Sequence, residues 1–110
     1  MTCKERFLQY IAVSTASDDE STESPSTVRQ LELSRRLAEE MLSMGLKNVH
    51  MDRCGNAIGT LPATEGVRAG TLALIAHVDT SPDASGENVR ARIIIRLRAL
   101  KQGGNIIQKR

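Results

Sequence analysis

The stretch Thr71 to Asp83, TLALIAHVDTSPD, constrains this chain more than any other. Leu72, Ala73, Leu74, Ile75 and Ala76 form an apolar run without a charge. Such a run fits a strand buried on both faces, although periodicity alone leaves a buried helical segment open. The run stops at His77, and Asp79, Thr80, Ser81 and Pro82 follow. An imidazole and a carboxylate at the end of a strand put polar chemistry at the mouth of a sheet. In open α/β sheets that is where ligands bind.

The segments before this run read as elements that cover it. Cys3 to Ser14 carries Phe7, Leu8 and Ile11 at helical spacing, which predicts a short amphipathic helix. Thr15 to Ser24 is polar, acidic and without period, and reads as a solvated loop. Thr27 then stands as a helix cap, with Gln30 completing a capping box and Val28 as the first helical residue. Leu31, Leu37, Ala38, Met41 and Met44 share the apolar face of that helix, and Gly45 ends it in a left-handed cap. Val49 and Met51 alternate with Asn48, His50 and Asp52 as a half-buried strand, with His50 as an ordinary surface histidine. Arg53 to Asn56 supplies a turn, and Ala57 to Leu61 returns antiparallel before Pro62. The expected fold class is α/β, two helices packed on a small mixed sheet built from the Val49, Ile58 and Leu72 strands.

Composition narrows the functional classes. A chain of 110 residues fits one small domain or a piece of a larger one. With one Phe, one Tyr and no Trp, its core is aliphatic and it lacks stacking platforms for single-stranded nucleic acid. No apolar run approaches the ~20 residues that cross a bilayer, and the N-terminus lacks a secretory pattern, so the expected location is cytoplasmic and no membrane partner is expected. Cys3 and Cys54 lack CxxC spacing and read as unrelated reduced thiols. The charge is sharply divided. Residues 1 to 87 hold 13 acidic and 8 basic groups, whereas residues 88 to 110 hold 7 basic groups and no acid. Val89, Ala91, Ile93, Ile95, Leu97 and Ala99 alternate with Arg90, Arg92, Arg96 and Arg98, a period-two strand pattern. A small basic-tailed module binding nucleic acid or another protein is the alternative reading of that segment.

His77 and Asp79 suit a metal ligand and the carboxylate that holds its ring, because an imidazole binds zinc through one nitrogen while the other donates its N–H. Zinc takes three or four ligands from distant segments, and the chain has only two histidines. The strings ERFLQYIAVSTAS, PSTVRQLELSRRLAEEMLSMGL, GNAIGTLPA, LALIA, HVDTSPD and SGENVRARI resemble, in order and spacing, the N-terminal part of the peptidase T family. These are tripeptide aminopeptidases among the di-zinc exopeptidases related to glutamate carboxypeptidase and aminoacylase. The resemblance implies that residues 1–92 form the N-terminal part of a zinc-exopeptidase catalytic domain. It implies that His77 ligates one zinc ion and that Asp79 is the catalytic-site carboxylate orienting it. It further implies two zinc ions and short-peptide substrates in the intact family, with the bridging aspartate, the glutamate base and the other ligands downstream. It implies as well that the domain the family uses for substrate binding and dimerisation is not among these 110 residues. Residues 93–110 depart from the family pattern. Because the charge break at Asn88 nearly coincides with that departure, a frameshift, premature stop or gene-boundary error is the expected origin of the tail. On this reading the chain alone binds zinc weakly or not at all and is inactive.

Overall fold

The computed structural model describes residues 1–93. Helix α1 spans Cys3–Tyr10, helix α2 spans Arg29–Ser43, and strands β1 (Lys47–Met51) and β2 (Ala57–Thr60) follow. The first helix starts on a capping box the sequence reading did not single out. The Glu5 N–H donates to Thr2 Oγ1 at 3.3 Å, and the Thr2 N–H donates to Glu5 Oε2 at 2.7 Å. Those bonds favour ionised Glu5 and lower its pKa, chiefly through the Thr2 backbone. The helix ends at Tyr10, short of the expected Ser14.

The second helix lacks the expected capping box, because the side chains that would build it are used elsewhere. Thr27 Oγ1 donates to the Ala16 carbonyl at 2.9 Å, and Gln30 Nε2 donates to Ser26 Oγ at 3.1 Å. The helix therefore opens at Arg29 with no side-chain cap. Its far end follows expectation. Gly45 has φ +87, its N–H donates to Leu42 O at 2.9 Å, and the Leu46 N–H donates to Met41 O at 3.1 Å. That pair of bonds is a Schellman motif, which satisfies the last carbonyls and folds Leu46 back.

Beyond that cap, β1 and β2 pair antiparallel, with His50 opposite Ile58 and Met51 opposite Ala57. The ladder is irregular between Lys47 and His50, where Asn48 takes a positive φ of 52°. The turn is organised by Asp52, whose carboxylate accepts from the Cys54 and Asn56 backbones and from the Asn56 amide, all at 2.8–2.9 Å. These bonds hold the Asp52 pKa down, the Asn56 side chain most of all. Val49, Met51, Ala57 and Gly59 are half-buried between exposed neighbours, so alternation gives the sheet one covered face. A Cβ on Gly59 would meet Leu46 Cδ2 and Met41 Sδ at 3.1 Å, so the helix end sits directly on β2.

Burial on α2 centres on Leu33, at 7% exposure, beside buried Gln30 and Ser34. Leu33 was not on the expected apolar face. Met44 was, but it is exposed, and its sulfur lies 3.6 Å from Arg6 Nη2.

The α/β class stands, and the sheet differs from expectation in one respect. Leu72, Leu74 and Ile75 are 81%, 90% and 94% exposed, and their segment does not join the sheet. The sheet of the described residues is two-stranded and antiparallel rather than mixed. A strand apolar on both faces needs cover on both, and α2 already spends its apolar face on β1 and β2. The expected arginine strand and basic tail lie, from Ile94 onward, outside the described residues.

Candidate metal centre

The candidate site is positioned by a contact between segments far apart in sequence. The Thr80 N–H donates to Thr15 O at 3.2 Å, and the Ser17 N–H donates to Thr80 O at 2.9 Å, forming a parallel bridge between Ala16 and Thr80. Ser17 Oγ adds a bond to the same carbonyl at 3.2 Å. Thr15 is 3% exposed, and Thr27 holds Ala16 from the start of α2. The first residues of the loop expected to be solvated thus form a brace. It fixes Thr80, the residue next to Asp79.

Asp79 in turn orients His77. The ring Nδ1 lies 2.9 Å from the Asp79 carbonyl and 3.2 Å from its Oδ1. Both neighbours are acceptors, so the neutral tautomer that satisfies them carries its proton on Nδ1 and leaves the lone pair on Nε2. The imidazole is 81% exposed and the Asp79 side chain 43%. Ser81 and Asp83 close the following turn, with Ser81 Oγ 2.9 Å from Asp83 Oδ2.

As a donor set, an exposed imidazole whose Nε2 has no partner among the described residues and whose other nitrogen is held by a carboxylate fits one corner of a zinc site. Among the described residues no group of three or more His, Cys, Asp and Glu side chains is gathered for a metal. His50 is exposed, with Nδ1 2.8 Å from Asn48 O, and Asp52 serves its turn. The Thr15 and Ser17 brace was missed in the sequence reading, since main-chain bonds leave no residue-type signature.

A separate polar cluster joins the helices. Arg6 Nε and the Tyr10 hydroxyl both donate to the Glu40 carboxylate, one to each oxygen. Burial, followed by the bond to Glu40, pushes the Tyr10 phenol up to about 12. The Tyr10 and Arg6 bonds lower the Glu40 pKa, and Glu40 raises that of Arg6.

Comparison with known proteins finds this chain similar to part of proteins named peptidase T. Over 90 residues it is 46% identical to the peptidase T of Clostridium botulinum strain Hall, and over the same length 42% identical to the peptidase T of Halothermothrix orenii. No family model matches the chain. The chain is thus a homologue of peptidase T, as the strings around His77 imply. The matched residues make up 82% of this chain, which spans about a fifth (22%) of the length of those relatives.

Proposed function

We propose that this chain supplies one corner of the metal site of a zinc-dependent aminopeptidase that removes the N-terminal residue of tripeptides in the cytoplasm. His77 is the residue that would hold one of two zinc ions, its Nε2 being the nitrogen that Asp79 does not engage. Asp79 keeps the Nδ1 proton and fixes the ring plane, and the Thr15–Ser17 brace keeps Asp79 in place. Zinc, when bound, supplies Lewis-acid polarisation of the scissile carbonyl. The observation that carries this reading is the engagement of Nδ1 by Asp79, at the histidine for which the resemblance to the peptidase T family implies a ligand role. Among the described residues no helix is long and apolar enough to cross a membrane.

With one candidate histidine ligand, the 110-residue polypeptide by itself leaves tripeptides intact. A chimera tests the assignment. The matching segment of C. botulinum peptidase T is replaced by this chain's residues, and zinc content and tripeptide hydrolysis are measured. His77→Ala in the chimera is expected to lose bound zinc and activity together. A His77→Ala chimera that keeps both refutes the role of His77.

A further inference from the structure

A second tie reaches the segment that follows His77, and it starts from the end of α2 where its charge is least favoured. Arg29 is the first residue of α2, and that end has no side-chain cap. A cation at a helix N-terminus opposes the helix dipole, so helix formation does not account for Arg29. The partner of its guanidinium does. Arg29 Nη1 donates to Glu87 Oε1 at 2.7 Å and lies 3.5 Å from Ser14 Oγ. Glu87 and Thr80 are the two ends of one small loop. An added Cβ on Gly86 would lie 3.5 Å from Thr80 Oγ1, so the loop returns to the residue it left. Within it, Ser81 Oγ donates to Asp83 Oδ2 at 2.9 Å and the Glu87 N–H donates to Ser85 Oγ at 3.3 Å. A loop with its ends close and bonds among its own side chains is a compact surface loop rather than a free tether.

We infer that Arg29 and Glu87 are positioning residues, a latch that closes the Thr80–Glu87 loop and so keeps the main-chain bridge at Thr80 intact beside Asp79. The two ties share their anchors. Thr15 and Ser17 hold Thr80 through main-chain bonds, and Ser14 stands directly before Thr15. On the other side, Thr27 holds Ala16 from the start of α2, and Arg29 follows it closely in the same turn of chain. Loss of the latch leaves the loop fixed at the Thr80 end alone. Both latch side chains are more than half exposed, at 59% and 57%, so water screens the ion pair. It therefore changes the opening of the bridge by a factor of about two to five rather than by orders of magnitude. The inference rests on the metal-site reading for the role of His77, whereas the latch and the bridge are read without a metal.

The test measures amide hydrogen exchange in the whole 110-residue chain at Thr80 and Ser17, whose N–H groups form the bridge. Arg29→Glu is expected to speed exchange at both by about threefold to fivefold. A purely helical role of Arg29 predicts the opposite, because a carboxylate is favoured at a helix N-terminus and would steady the start of α2. Arg29→Lys is expected to stay within about twofold of the native rates, and Arg29→Glu combined with Glu87→Arg to restore them. Amides around Leu33 are expected to keep their rates throughout. In the peptidase T chimera, Arg29→Glu is expected to weaken zinc retention against a chelator by about threefold, the factor by which the bridge opens. Unchanged exchange at Thr80 and Ser17 in Arg29→Glu, failure of the exchanged charges to restore it, or equal acceleration at Leu33 overturns the latch. Zinc retention that Arg29→Glu leaves unaltered, in a chimera where His77→Ala abolishes it, overturns the positioning. A chimera that keeps its zinc in His77→Ala refutes the metal reading instead, and the exchange rates then decide the latch alone.

Discussion

Replacing Tyr10 with Phe is expected to loosen helix α1 without unfolding the rest of the protein. The helix buries no residue of its own, and Phe7 on it is 59% exposed. Its attachment to α2 runs through Glu40, which receives Tyr10 on one oxygen and Arg6 on the other. A hydrogen bond to a charged group contributes roughly 1.5–3 kcal/mol, and part of that is recovered when water replaces the phenol, so a loss of ~1–2 kcal/mol follows. One factor of ten corresponds to about 1.4 kcal/mol. Amide hydrogen exchange should therefore accelerate about tenfold across Phe7 to Ile11 while amides around Leu33 keep their rates. The clasp also has a defined pH window. The folded Glu40 pKa lies below its ordinary 4.5, so its contribution is present above that value and is lost as pH falls through the depressed one. The Tyr10 pKa rises from 10.0 to about 12, so its contribution is complete below 10.0 and is lost as pH climbs through the raised value. Exchange at Phe7 to Ile11 should be slowest, after correction for intrinsic rates, between those limits. Equal acceleration at Leu33, or none in α1, refutes the clasp.

Other substitutions probe the core and the site. Gly55→Ala should destabilise by ~2–4 kcal/mol in chemical denaturation, because Gly55 has φ +81 and an added Cβ would lie 2.6 Å from Leu31 Cδ2. Leu33→Ala should cost ~2–3 kcal/mol by the same assay, at the lower end for a buried leucine in so thin a core. In the peptidase T chimera, Asp79→Asn should lower zinc affinity by about 10- to 100-fold in competition with a chelator, whereas His77→Ala, which removes the proposed ligand, should abolish binding.

The parts of the fold that were legible in sequence are those decided by one local rule. Gly45 ends α2 because a left-handed residue is needed there, Val49 and Met51 alternate with exposed neighbours because a strand has two faces, and the turn after Asp52 returns the chain from Ala57 antiparallel. Asp79 was legible as the partner of His77 because two residues of spacing leave little freedom. What escaped was decided by competition between segments. Thr27 has the right identity and position for a cap, yet Ala16 takes its hydroxyl. Leu33 was passed over for Met44 because an apolar stripe does not state which edge of it meets the sheet. That choice falls to where the Schellman turn aims β1.

The exposed Leu72–Ile75 segment follows from the same distinction. An uncharged aliphatic run states a demand for cover, and it states nothing about where the cover comes from. In this chain α2 offers one apolar face, and β1 and β2 are joined to it by a short connection whose closure costs little entropy. Leu72–Ala76 arrives later, after the exposed stretch Leu61 to Gly70, and finds that face taken. Meanwhile the Thr80 brace binds the far end of the run to the loop before α2. The run is thereby held open beside His77. The demand read from its sequence and the exposure seen in its structure are the same fact, an apolar run for which the described residues supply no cover.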